Sequence, residues 1–195
     1  MNVYIDGQDY SEILKSADAA SILNVVQSET SRNGRVVTEI RVDDVAMDEE
    51  AFLNLTGGLS ASFSTQLVRD LVVDSLDEAI KYIPRLKKGL EEIALHFEKN
   101  ETAAGQGKLA DAAEGLDWLL SVFQKCTTLL AVGEEANGGE NLKAALAADV
   151  GRLAALHGEG KFLQMALAIR QKLVPEVGEF ALHVQRLRDL GSFTQ

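Results

Sequence analysis

The sequence predicts an α+β protein, a small sheet unit over residues 1–73 followed by an antiparallel four-helix bundle over 74–195. Three observations predict it. Composition changes near residue 74, from β-branched residues and turn signals to Ala, Leu, Lys and Glu. Residues 35–42 (RVVTEIRV) alternate as a half-buried strand does. Beyond residue 74, four amphipathic stretches are separated by short polar loops, the pattern of an up-down bundle. A chain of 195 residues buries about 70% of its extended surface on folding, so the core needs neither disulfide nor metal.

In the first unit, Asn2–Ile5 (NVYI) is short, apolar and β-prone, and Asp6-Gly7 after it is a hairpin signal because Gly tolerates positive φ. A second strand is placed around Asp9–Leu14. Ser16 is the expected N-cap of a helix carrying Ala19, Ile22, Leu23, Val26 and Thr30 at three- and four-residue spacing, and Asn33-Gly34 ends it. In the strand Arg35–Val42, one face holds Val37, Glu39 and Arg41 and the other Val36, Thr38, Ile40 and Val42. Asp43-Asp44 turns the chain into a short strand Val45–Met47. Asp48–Leu55 reads as a brief helix with acids in its first turn. After the break at Gly57-Gly58, a strand Leu59–Val68 places Leu59, Ala61, Phe63, Thr65 and Leu67 on one face. This order of strand, strand, helix, strand, short strand, short helix, strand resembles the β-grasp (ubiquitin-like) order. The resemblance covers about 70 residues and rests on topology, so it implies a fold and no function.

In the second unit, Ser75-Leu76-Asp77-Glu78 reads as a capping box opening the first helix. Leu76, Ile80, Ile83, Leu86, Leu90, Ile93 and Phe97 form its apolar stripe. Asn100–Gly107 is read as a loop. A second helix runs over Lys108–Val132, with Leu109, Ala112, Ala113, Leu116, Leu120, Phe123 and Leu130 inward. Gly133–Glu140 is a loop, Asn141–Leu156 a third helix and Lys161–Leu190 a long fourth. Pro84 and Pro175 fall inside helical patterns, and each should bend or split its helix.

Charge and motifs remove several function classes. Lys plus Arg is 19 and Asp plus Glu 30, a net charge of −11. Nucleic-acid binding relies on clustered Lys and Arg displacing counterions, and no such cluster exists here, so neither nucleic acid nor an anionic membrane is an expected partner. No apolar run approaches the ~20 residues of a membrane span. The start MNVYIDGQDYSE has no basic segment or apolar core, so no secretory leader is expected. Cys126 has no intrachain partner, which fits a reducing, cytoplasmic setting. The glycine pairs lack the trailing Lys-Ser/Thr of a phosphate loop, Ser60–Ser64 lacks a nucleophile elbow, and the acids at 43–50 lack calcium-loop spacing. No cofactor is expected.

The candidate chemistry is sparse. His96, His157 and His183 fall on helices one, three and four, and three imidazoles from facing helices are the candidate metal set. No two of them share a helix turn, and no Glu-x-x-His pair exists, so ordinary boundary histidines are the favoured reading. Cys126 lies beside the core stripe of helix two and reads as a small buried hydrophobe. Trp118 flanks that stripe, either as half-buried packing or as an anchor for a partner. Leu163, Leu167 and Leu182 add a second apolar face to helix four. The function expected from these features is non-enzymatic: an interaction, adaptor or chaperone-like protein offering an apolar helix face, or a groove between helices, to a protein partner or to a second copy of itself. The alternative is a helical-bundle metal- or ligand-binding protein or enzyme using His96, His157 and His183.

Overall fold

The computed structural model describes residues 1–133 and 138–193, and the chain is a mixed α+β protein. It divides into two compact units, Met1–Leu71 and Val72–Gln195. Among the described residues, no helix is long and apolar enough to cross a membrane.

The first unit is a five-stranded sheet with two helices. Strands β1 (Asn2–Ile5) and β2 (Gln8–Asp9) form a hairpin, followed by helix α1 (Ala19–Arg32), β3 (Arg35–Val42), β4 (Val45–Met47), α2 (Glu49–Leu53) and β5 (Ser60–Leu67). The strand order is β2-β1-β5-β3-β4. Strand β1 runs parallel to β5 and every other neighbouring pair is antiparallel. Both tight turns have two residues at positive φ, Asp6 and Gly7 in one and Asp43 and Asp44 in the other, the geometry that matches strand twist. Asp43 lacks glycine's freedom, but its carboxylate accepts from the backbone N–H groups of Leu59 and Ser60 and so holds the turn. The Asp6 carboxylate does the same for β5, accepting from Thr65 N–H at 2.8 Å and Thr65 Oγ1 at 2.5 Å. That hydrogen bond and the nearby Arg35 guanidinium hold it below the usual carboxylate range despite some desolvation.

The core of this unit joins Val3 and Ile5 from β1, Ile22, Leu23 and Val26 from α1, Ile40 and Val42 from β3, Phe52 from α2, and Ala61 and Phe63 from β5. Phe52 and Phe63 meet edge to face at 5.3 Å. Three local expectations change. The second strand is only Gln8–Asp9, because beyond it Val3 N–H donates to Ser11 Oγ and the chain turns to bury Leu14. Asp18, not Ser16, caps α1 by accepting from Ser21 N–H. A bulge between Val37 and Glu39 interrupts the alternation of β3, so Val37 and Ile40 both pack on the core.

The second unit is helical: α3 (Val68–Glu98, begun in the first unit), α4 (Thr102–Leu129), α5 (Gly139–Gly158), α6 (Phe162–Ala168), a π-helical turn (Ile169–Leu173) and α7 (Val174–Phe193). The predicted loop Gly133–Glu140 falls largely on residues 134–137, outside the described residues. Helix α3 begins where β5 ends, so Ser75 lies inside the helix rather than at its N-cap, and Glu78 pairs with Lys81 at 2.7 Å. The reason is burial: Val72 and Leu76 are both fully buried, which favours helix about two turns earlier than the box suggests. The predicted loop Asn100–Gly107 is only a tight turn, with Asn100 at positive φ, before α4 starts at Thr102.

Contacts order these helices. Tyr82 meets Trp118, and Glu92 meets Lys108, so α4 runs antiparallel to α3. Phe97 stacks on Phe162, Glu98 pairs with Arg170, and Asp77 pairs with Arg188, so the last helical stretch also runs antiparallel to α3. Gln106 bonds His157 and Gln124 bonds Lys143, which sets α5 antiparallel to α4. Pro84 leaves α3 continuous and sits on its exposed face. Pro175 does break the pattern. It has no N–H for the carbonyl of Gln171, and the turn before it widens, with Val174 N–H reaching Ile169 O. The extra residue lets Ile169, Leu173 and Val177 all stay buried.

Truncating Phe63 removes the largest β5 side chain in the sheet core. We expect Phe63→Ala to cost about 3–5 kcal/mol, read as urea unfolding of the sheet amides by NMR, while the helical amides keep their midpoint.

Candidate functional site

The helices of the second unit do not close evenly. Between α4 and α5 a recess of about 350 Å³ opens. Its floor is Leu90 of α3 and Leu173 of the π-helical turn, and its walls are Leu109 and Leu116 of α4 and Val150 and Leu153 of α5. The rims explain the gap. Ala110 and Ala113 on α4 and Ala154 on α5 are exposed and end at Cβ, so nothing from either helix fills the space. At one end His157 and Gln106 face across the mouth, with Nε2 atoms 3.0 Å apart. Phe162 packs edge-on to the His157 ring. At the far end of the same seam, Lys143 donates to Gln124 Oε1. The volume lies in the range of ligand pockets, and the lining is apolar with two polar groups at the mouth.

The histidines are not brought together. His96 bonds Glu101 through Nδ1 at 2.6 Å at the C-terminal end of α3. His157 stands at the recess mouth, and His183 lies against Gly138, at the other end of α5. No group of three or more His, Cys, Asp or Glu suited to a metal ion occurs among the described residues. Cys126 is buried, and that burial pushes its thiol to about 11, which leaves it a poor nucleophile.

Trp118 is 41% exposed and rests edge-to-face on Tyr82 at 5.2 Å. Helix α4 comes this close to α3 because residue 115 is glycine, and a Cβ there would collide with the Tyr82 hydroxyl. Leu163 and Leu182 are 61% and 62% exposed, and Leu167 is nearly half exposed.

One further pair of side chains stands outside every motif in the sequence. Asp149 of α5 and Glu176 of α7 meet where the two helices pack, and one oxygen of each is buried without a donor. Lys172 Nζ lies 3.7 Å from Asp149, whose side chain is 13% exposed. Burial first, then the hydrogen bond and charge of Asp149, hold the Glu176 carboxyl above its ordinary range. The signal in the sequence is spacing. Asp149 falls on the line Leu146, Asp149, Leu153, the buried stripe of α5.

These features define a sheet unit joined to a helical unit with an apolar recess. Residues 74–179 match the family described as a domain of unknown function (DUF8042), and the chain belongs to that family. The match covers the whole recess and the Asp149–Glu176 pair. No curated protein matches the chain, and no solved structure does.

Two outcomes check this site. Trp118→Ala should cost about 1 kcal/mol in urea unfolding, the value of one aromatic edge contact with half the ring in water; a cost of about 3 kcal/mol or more marks Trp118 as core. Cys126 keeps a proton in the fold that the unfolded chain gives up at about 9, so stability should fall as pH rises from about 9 to about 11. Cys126→Ala should flatten that fall in thermal melts.

Proposed function

We propose that the helical unit is an antiparallel up-down four-helix bundle whose α4–α5 seam binds an amphipathic helix of another protein, and that the chain is a non-enzymatic, cytoplasmic interaction protein of adaptor or chaperone-like type. The antiparallel order of α3, α4, α5 and the last helical stretch supports the bundle reading. The β1–β5 parallel pair inside the order β2-β1-β5-β3-β4 supports a β-grasp reading of the first unit.

The recess carries the functional reading. It extends from Gln106 to Leu116 along α4, roughly 15 Å at the helical rise. An i, i+4, i+7 row of apolar side chains spans roughly 10 Å and fits that length, the usual way a helix is held in a groove. The exposed Trp118, Leu163, Leu167 and Leu182 offer a further apolar face, suited to self-association. A second reading, a small apolar ligand held in the same recess, is favoured by the polar Gln106–His157 pair at its mouth; of the three histidines it uses only His157.

A photoreactive phenylalanine analogue at Ala110, incorporated in the native cell, tests the proposal. The expected adduct is a peptide of another protein with apolar residues at helical spacing. Ala113→Phe should abolish that adduct while stability holds or rises by about 1 kcal/mol, as in cavity filling. An adduct from this same chain, or adducts formed only from Leu163, Leu167 or Leu182, would contradict a partner helix in the recess. A small molecule retained in the native mass spectrum and lost in Ala113→Phe would establish the second reading instead.

A further inference from the structure

We propose that Asp149 and Glu176 hold one proton between them and that this proton pins α5, one wall of the recess, against α7, so that its loss loosens the wall. The inference rests on the reading of the recess as a binding groove and names how that groove is regulated.

Two carboxylate oxygens, one from each residue, are buried and lack any donor. A carboxylate is an acceptor only, so two of them in contact leave both oxygens unsatisfied and repelling. A single proton cures both defects. The protonated acid donates to its neighbour, and the pair carries one negative charge instead of two. Lys172, held on the π-helical turn at 3.7 Å from Asp149, balances that remaining charge. The other charge acting on Glu176 is Glu179, one turn on along α7, which opposes ionisation further. From α3, Lys87 Nζ approaches Gly178, and from α5 the facing group is Asp149 itself. His183 lies two turns further along α7, against Gly138.

The position gives the pair its consequence. Val150, Leu153, Ala154 and His157, which line or rim the recess, follow Asp149 over the next eight residues of α5. The direction follows from linkage. The folded state binds a proton that the unfolded chain releases near 4.5, the ordinary glutamate value. The pair's contribution is therefore intact at low pH and is lost as pH rises through its raised titration. Each unit of elevation is a tenfold change in the equilibrium it drives.

The test uses the full chain and three variants. Glu176→Gln places a permanent N–H donor against Asp149, Asp149→Asn does the reverse, and Lys172→Met removes only the balancing cation. In wild type, carboxyl carbon-13 NMR should show one acid that stays protonated well above the ordinary range. That resonance should be absent in Glu176→Gln and titrate still higher in Lys172→Met. Amide exchange over 150–157, corrected for its intrinsic pH dependence, should rise about tenfold or more between about pH 5 and about pH 8 in wild type, and stay flat in Glu176→Gln. Two carboxyls titrating in the ordinary range would overturn the shared proton. A high-titrating acid with unchanged exchange over 150–157 would overturn the pin. If the titration and exchange results hold while no adduct forms from Ala110, the proton pin stands and the groove reading alone falls; should Glu176→Gln fail to fold, Asp149→Asn gives the same two readouts.

Discussion

The helical unit depends on one seam, the apolar stripe of α3. Leu76, Ile83, Leu86, Leu90, Ile93 and Phe97 are all nearly or fully buried. Each fully buried side chain of this size contributes about 1.5–3 kcal/mol of transfer free energy. The seam serves α4 and the last helical stretch together, and ion pairs at each end, Glu98 with Arg170 and Asp77 with Arg188, fix the register of the latter. Those pairs are partly exposed and add little energy. Their value is in alignment, which places Leu173 opposite Leu90 on the floor of the recess.

With α3 satisfied by two neighbours, α5 is left to pack mainly on α6, α7 and the π-helical turn. Its inner stripe is thin, and its rim toward α4 is alanine. The recess follows from that distribution: the apolar side chains are spent on the α3 seam, and the α4–α5 seam is left underfilled. An underfilled seam lined by leucines forfeits dispersion contacts in the empty state. An occupant that restores them is the physical basis for binding there. The proposed proton pin acts on that same wall, through Asp149, Glu176 and Lys172, beside the buried Leu146 and Leu153.

Much of this was legible in the sequence, and the failures have identifiable causes. Strands β3 and β4 occupy the ranges that their β-branched residues and turns mark out, and α1 ends at Asn33-Gly34 as read. The bulge in β3 was not legible, since an unpaired Thr38 leaves no mark in a pattern of β-branched residues. The start of α3 was misplaced because burial of Val72 outweighed a plausible cap. Pro175 announced a disruption, and the structure supplies its form, a widened turn that preserves the buried face. At the candidate site, Leu90, Leu109, Ala113 and Leu116 were read as core stripe, which they are in part. That they border a vacant space depends on how far α4 stands from α5, and no single-helix pattern carries that distance. Asp149 stands on its stripe in the sequence, but a charge among alanines reads first as solvated.

The α4–α5 seam is an apolar recess open to its surroundings. A crystal of the full chain pressurised with xenon tests it directly, because xenon enters apolar vacancies and avoids filled or polar ones. Xenon should bind among Leu90, Leu116, Leu153 and Leu173, with α4 and α5 unmoved. A seam closed by Leu109 and Val150, with no xenon between the two helices, would contradict it.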